Sequence, residues 1–282
     1  MKAIIPAAGL ATRFLPATKA QPKAMLPVLN KPAIQYVVEE ALAAEADEVV
    51  VVGNAQTQAI AAHFSPDEAL VAQLEGRGKT NYADEVRRVG SLPVSFAEQP
   101  EPLGLGHAIH CAAAKVLGDA GDAEAEPFYV LLSDVLVPDN ALLPRMLASS
   151  RAHGGASVIA VIRVPREQVN RFGVIAGEPV EGGIWRITGM VEKPSVEQAP
   201  SDLAIFGRYL LTPRVMELLS RVAPGAGGEI QLTDALIELL AYEEVYALIV
   251  DPDEGFDVGT VEDWLSTNLR LAERAAPSGA AG

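Results

Sequence analysis

Glu48–Val49–Val50–Val51–Val52–Gly53 is apolar at every interior position rather than at every second one, and Phe128–Tyr129–Val130–Leu131–Leu132–Ser133 repeats the pattern. Alternation marks a strand with one wet face, whereas a continuous run marks a strand covered by helices on both faces, the situation of a parallel sheet. A third run, Lys2–Ala7, opens the chain, and helical patterns start near Pro32, Ala55, Leu105 and Asn140, with Gly, Pro or Asn at their flanks. Strands alternating with helices are the signature of βαβ units. The expected fold is therefore α/β, a doubly wound Rossmann-like sheet that is mixed but mostly parallel.

Beyond about residue 155 the rhythm changes. Ala156–Val164, Gly173–Ala176, Ile184–Val191 and Leu203–Leu211 are four strand candidates with little helix between them, so this half is expected to be β-rich and its sheet mixed. A helix over Arg214–Val222, a Gly-rich loop at 224–228, a helix over Gln231–Tyr242, a strand at Val245–Val250 and a helix from Val261 to about Arg274 complete the pattern. Residues 1–274 read as a single domain with halves of about 1–150 and 151–274, and 275–282 as a flexible tail with no apolar face to bury.

The 282 residues, 49% hydrophobic, can bury roughly three quarters of the surface of the unfolded chain. No stretch approaches the ~20 apolar residues that span a bilayer, and the opening apolar run is interrupted by Pro6 too early for a signal peptide. A lone cysteine, Cys111, excludes an internal disulfide and any zinc site built on paired thiolates. The expectation is a soluble cytoplasmic protein without membrane partners.

Charge is segregated along the chain. The net charge is −15, yet Lys2, Arg13, Lys19, Lys23 and Lys31 precede the first acid, Glu39. The acidic balance argues against nucleic acid as a partner, and the basic opening segment points to a small anion. Within it, the loop from Ala8 to Lys23 is too long for a simple βα turn, and long loops in compact domains are usually functional. It matches neither G-x-x-x-x-G-K-[ST] nor G-x-G-x-x-G, which disfavours a kinase or a dehydrogenase. Its small residues let backbone N–H groups approach an anion, and Arg13 and Lys23 can neutralise a polyphosphate, a combination suited to a nucleoside triphosphate.

The stretch from Gly9 to Pro27, continued by Asn30–Lys31–Pro32–Ala33–Ile34–Gln35–Tyr36–Val37, resembles the signature of bacterial UTP–glucose-1-phosphate uridylyltransferases. Gln99–Pro100–Glu101–Pro102–Leu103–Gly104, Leu132–Ser133–Asp134–Val135, Phe172–Gly173–Val174, Val191–Glu192–Lys193–Pro194, Ala204–Ile205–Phe206–Gly207–Arg208–Tyr209 and Gly228–Glu229–Ile230–Gln231–Leu232–Thr233–Asp234 follow in the same order. The resemblance spans roughly residues 1–270 and implies the fold of nucleotide-diphospho-sugar transferases, with a nucleotide-binding and a sugar-binding half. It implies UTP and glucose 1-phosphate as substrates, UDP-glucose and pyrophosphate as products, a magnesium ion, and a homodimer or homotetramer.

Carried over residue by residue, the resemblance makes Arg13 and Lys23 the catalytic cations, with Ala8 and Gly9 among the substrate-binding residues of the first loop. Asp134 becomes the first magnesium ligand and Asp257, in Phe256–Asp257–Val258–Gly259, the second. Gln99 and Gly104 become the uracil readers, since an amide both donates and accepts and a glycine admits close backbone contact. Gly173, Glu192 and Lys193 become the sugar site. Chemistry supports the same class: in-line displacement at phosphorus needs positioning and charge neutralisation more than covalent catalysis. The sugar phosphate, with a second pKa near 6, is already ionised at neutral pH, so His107 reads as a packing or hydrogen-bonding residue rather than a base. No partner is legible for His63, His110 or His153.

Two positions depart from the family pattern: Ala11 stands where glycine is common, and Ala24 where a glutamate usually follows the lysine. If position 11 requires a positive φ, alanine costs on the order of 1 kcal/mol there. The departures leave two rival readings, a related pyrophosphorylase using dTTP or another sugar 1-phosphate, and a catalytically silent paralogue that binds UDP-sugar.

Overall fold

The computed structural model describes residues 1–9, 11–54, 57–118, 126–225 and 228–275. Its centre is a nine-stranded sheet in the order Val94–Glu98, Glu48–Gly53, Lys2–Pro6, Phe128–Leu131, Leu203–Leu211, Ser157–Arg163, Val245–Ile249, Ile184–Glu192, Gly173–Pro179. The first four strands are parallel, with Ile4 paired to Val50 on one side and to Val130 on the other. In the second half only Val245–Ile249 against Ser157–Arg163 is parallel and the other pairings are antiparallel, so the sheet is mixed as expected, but the helix-poor half brings antiparallel neighbours level with parallel ones instead of leaving the sheet mostly parallel.

The continuous apolar runs are explained by two cores, one on each face. Ala3, Ile5, Val49, Val51, Tyr129 and Leu131 pack into one, and Ile4, Val50, Val52, Phe128 and Val130 into the other. Successive strand residues point to opposite faces, so a strand with both faces covered must be apolar throughout. Leu203–Leu211, buried along its whole length, joins the two halves by pairing with both Phe128–Leu131 and Ser157–Arg163.

Most expected helices occur with shifted ends. They run over Ala33–Ala43, Gln58–His63, Leu105–Cys111, Leu142–Ala152, Arg214–Leu219, Leu232–Leu239 and Val261–Ala275. The expected start at Ala55, part of the 224–228 loop and the tail beyond Ala275 lie outside the described residues. Elements with no counterpart in the sequence reading are a helix pair, Glu68–Gly76 and Thr80–Gly90, the edge strand Val94–Glu98, and two short ribbons, Pro27–Val28 with Lys31–Pro32 and Val135–Leu136 with Phe256–Asp257. Among the described residues no helix is long and apolar enough to cross a membrane.

After Lys2–Pro6 the chain moves outward to Glu48–Gly53 and Val94–Glu98, then returns to the other side of Lys2–Pro6 with Phe128–Leu131. This reversal creates a crevice beyond the carboxyl ends of the central strands, where ligands of open α/β sheets bind.

Candidate active site

A cavity of about 670 Å³ opens at that reversal, lined by Ala8, Gly9, Ala11, Thr12, Lys23, Gln99, Gly104, Ser133, Asp134 and Glu229, with Ala24 and Leu132 among the apolar residues of its wall. Six of the expected site residues, Ala8, Gly9, Lys23, Gln99, Gly104 and Asp134, line it directly.

The first loop folds over the strand ends as three 3₁₀ turns, Thr12–Phe14, Ala17–Lys19 and Lys23–Met25. Its start is tied down by Asn54 Nδ2, which donates to the Ala8 carbonyl at 3.1 Å. Ala11 has φ 49° and ψ 42°, the left-handed conformation that favours glycine, and its carbonyl accepts from Thr18 Oγ1 at 3.0 Å and from the Phe14 N–H at 3.0 Å. In the third turn Ala24 packs into the core, which turns its neighbour Lys23 toward the cavity. Lys23 Nζ sits 5.8 Å from the centre of the Phe14 ring and donates to Asp134 Oδ2 at 2.9 Å, the two side chains being 17% and 40% exposed. Arg13 lies on the exposed surface of the first turn, outside the cavity lining and without a partner among the described residues.

Asp134 follows Phe128–Leu131, and Ser133 Oγ donates to the Pro6 carbonyl at 3.2 Å, fixing the turn beside the first loop. Asp257 reaches it through the short ribbon: Asp257 pairs with Val135, and the Val258 N–H donates to the Asp134 carbonyl at 2.8 Å. Both carboxylates face the point above Gly259 where a Cβ would stand, 2.7 Å from Asp257 Oδ1 and 3.7 Å from Asp134 Oδ2. Any side chain at 259 would fill that point. Burial first, and the negative charge of Asp134 after it, push the Asp257 carboxyl above the usual carboxylate range, against the Gly259 N–H that donates to it at 2.5 Å. Two converging carboxylates with this mutual strain fit a divalent cation. Among the described residues no group of three or more His, Cys, Asp or Glu side chains surrounds such a point, so substrate oxygens and water would have to complete the shell, as magnesium prefers.

The opposite wall is the Gln99–Gly104 loop. Buried Gln99 donates from Nε2 to the Gly104 carbonyl at 3.0 Å, and the same nitrogen lies 3.2 Å from His107 Nδ1, which is 3.1 Å from the Glu101 carbonyl. His107 thus holds the loop, as a hydrogen-bonding residue. Gly104 has φ 99°, and a Cβ there would come within 2.9 Å of both Glu229 Cβ and the Ile230 carbonyl, so glycine is required. The Ile230 N–H donates to the Leu103 carbonyl at 2.7 Å, which is how Glu229 reaches the cavity.

Gly173, Glu192 and Lys193 form a second group outside this lining. Glu192 pairs with Gly173 across antiparallel strands, and its Oε2 accepts from the buried Thr233 Oγ1 at 2.7 Å. A Cβ at Gly173 would come within 3.1 Å of that same Oε2. Lys193, with φ 45°, is 58% exposed and its Nζ lies 3.5 Å from Glu192 Oε1. Burial pushes the Tyr209 phenol up, and the charges of both Glu192 and Asp134 push it further. Thr233 and Glu229 stand in the motif-like stretch 228–234, but only strand pairing and loop stitching reveal their contacts. Two of the three histidines without a legible partner have one, His63 Nε2 lying 3.0 Å from Gln35 Oε1 and His153 Nδ1 2.8 Å from the Ser149 carbonyl, whereas the buried His110 Nδ1 has no hydrogen-bond partner among the described residues.

The model of the nucleotidyl transferase family matches residues 2–274. The chain belongs to that family. A UTP–glucose-1-phosphate uridylyltransferase of Bacillus subtilis (strain 168) is 42% identical over 272 residues, covering 96% of this chain and 90% of the relative. Among solved structures of the family, a UDP-glucose pyrophosphorylase complexed with UDP-glucose superposes with a TM-score of 0.84 at 35% identity, over 97% of this chain and 98% of that one. A UTP-bound UGPase from Acinetobacter baumannii superposes with a TM-score of 0.86 at 36% identity, over 98% and 94%. The α/β fold expected from the apolar runs is thus the fold of these family members.

Proposed function

We propose that this nucleotidyl transferase joins UTP and glucose 1-phosphate to give UDP-glucose and pyrophosphate. The observation that carries the reading is the meeting of Lys23, Asp134 and Asp257 at the sheet reversal, beside a cavity with an amide reader on its far wall. The names of the relatives give the substrates, and the chemistry of the residues fits them.

In this reading the triphosphate lies along the Ala8–Lys23 loop and the uracil against Gln99 and Gly104. The Gln99 nitrogen is engaged with Gly104 and His107, and its Oε1 has no partner among the described residues, so it can accept from a pyrimidine N–H. Asp134 and Asp257 would hold magnesium, which when bound supplies positive charge against the phosphates. Lys23 then faces the α-phosphate, and Arg13 can close on the phosphates from its exposed turn. Their charges stabilise the negative charge that spreads onto the transferring group and the departing pyrophosphate.

Glucose 1-phosphate sits near Gly173, with Glu192 accepting from sugar hydroxyls and Lys193 meeting the sugar phosphate. Thr233 holds the Glu192 carboxylate, and the absence of a side chain at 173 lets that carboxylate stand against the strand. The attacking phosphate oxygen needs no base. A cytoplasmic enzyme fits a chain with one cysteine, and the apolar side chains exposed along the last helix, Val261, Leu265 and Leu269, support a homodimer or homotetramer.

The test is a coupled pyrophosphate assay over a panel of nucleoside triphosphates and sugar 1-phosphates. UTP with glucose 1-phosphate and magnesium should be the best pair. Faster turnover with dTTP or another sugar phosphate would refute the assignment, and tight UDP-glucose binding without pyrophosphate release would mark a silent paralogue.

A further inference from the structure

Arg208 carries the most completely partnered buried charge among the described residues, and nothing in the proposed reaction uses it. It is 0% exposed in the middle of Leu203–Leu211, and Glu40, on the helix Ala33–Ala43, is 0% exposed opposite it. All five N–H groups of the guanidinium are engaged. Nε donates to Glu40 at 3.0 Å and Nη2 to the same carboxylate at 2.8 Å. Nη1 donates to the carbonyls of Gly207 at 3.0 Å and Leu132 at 3.1 Å, and Nη2 to the carbonyl of Val135 at 2.6 Å.

Burying an ion pair is a poor way to gain stability, since the desolvation of two charges is costly and apolar residues of similar volume often do as well or better. The two carbonyls at the far end of the fork give the pair another use. Leu132 and Val135 bracket Ser133–Asp134, so a single rigid, planar group grips the turn on both sides of the Asp134 carboxylate. The contact that closes the turn, Val135 N–H to the Leu132 carbonyl, is long at 3.4 Å, so the guanidinium adds to the bonds of Ser133 to Pro6 and of Val258 to Asp134 a tie between its two ends. The strand is shaped for the grip: its register against Ser157–Arg163 shifts between Ile205 and Tyr209, and Gly207, at φ 69°, lies against Leu132, where a Cβ would come within 3.1 Å of that side chain.

We propose that Arg208, held by Glu40, is a positioning residue that sets the Asp134 carboxylate against Asp257 and Lys23. It touches no substrate. The inference rests on the reading of Asp134 as a divalent-cation ligand.

Two variants separate positioning from simple fold support. Arg208→Lys keeps the charge beside Glu40 but cannot span both carbonyls. The double variant Glu40→Leu/Arg208→Met removes the buried charges together, so the fold has no unpaired ion to accommodate, while the carbonyls still lose their donor. Mn²⁺ binding in the presence of UDP-glucose, read by electron paramagnetic resonance, should weaken at least tenfold in both variants. UDP-glucose binding in EDTA, read by calorimetry, should stay within threefold of the wild type. A core variant on the helix Leu142–Ala152, Leu147→Ala, supplies a destabilised protein whose Mn²⁺ affinity should not change.

Recovery of wild-type Mn²⁺ affinity in the folded double variant would overturn the inference, because it would reduce the pair to a structural one. If the wild-type protein neither binds Mn²⁺ nor releases pyrophosphate, the proposed function itself fails and the inference falls with it. Variants unchanged from a wild type that does both would sink the positioning role alone.

Discussion

Lys23 and Asp134 are 111 residues apart, and ammonium and carboxylate meet at 2.9 Å because each follows one of two adjacent parallel strands. At the scale of single residues, this contact stands in for the charge pairing that a bound polyphosphate and its cation would rearrange. In the proposed reaction, replacing either partner removes charge from the place where it develops, so Lys23→Ala and Asp134→Ala should each lower the rate of pyrophosphate release at least a hundredfold, measured at saturating substrates. A loss smaller than tenfold in either would exclude it from the phosphate centre. Ala11 is a second residue-scale case. Held at φ 49° by bonds from Thr18 and Phe14 to its carbonyl, it adopts a conformation that costs an L-residue on the order of 1 kcal/mol. Ala11→Gly should therefore raise the melting temperature by about 2 °C, and a fall on the same scan would show that the loop is not strained.

At the scale of elements, the helix Ala33–Ala43 presents two adjacent acids to different surroundings: Glu40 inward to Arg208, Glu39 outward to Lys31, Gln35 and Arg88. Burial raises the Glu39 carboxyl, but the bonds from Gln35, Lys31 and Arg88 outweigh it and hold it below the usual carboxylate range. A depressed carboxylate stabilises the fold above its unfolded pKa, and that contribution disappears as pH falls through the lowered folded value. Glu39→Gln should lower the melting temperature by about 2 °C at pH 7, with the difference from wild type closing as the solution is acidified below about pH 4. A difference that persists at pH 3 would mean that packing, not charge, is lost.

Elements also show what could be read from sequence. Leu203–Leu211 is buried throughout, and its apolar run gave both ends correctly. Thr80–Gly90 buries only Ala83, Val89 and Gly90, too few apolar positions to announce a helix. Val94–Glu98 is a half-covered edge strand, and a two-residue ribbon such as Val135–Leu136 with Phe256–Asp257 leaves no periodicity at all.

At the scale of the whole molecule, the order of the strands decides where the proposed chemistry can occur. The chain reverses direction across Lys2–Pro6, so the basic first loop and the Asp134 turn share one end of the sheet. The residues of that centre were legible because they sit in distinctive motifs. Their supports were not: Thr233 behind Glu192, Glu229 behind Gly104, and Arg208 behind Asp134 act across strands and loops distant in sequence. Arg13 and Lys193 differ again: both lie exposed, and sequence motif alone ties them to the proposed reaction.

The claim on which the proposed reaction stands is that Asp134 and Asp257 hold one and the same ion beside Lys23. Groups that act as a unit give non-additive losses. Pyrophosphate release from UTP and glucose 1-phosphate should therefore be compared among the wild type, Asp134→Ala, Asp257→Ala and the double variant. Each single change should cost at least a hundredfold, and the double variant should be little worse than the poorer single one. Losses that multiply, or an Asp257→Ala enzyme within fivefold of the wild type, would contradict a shared ion.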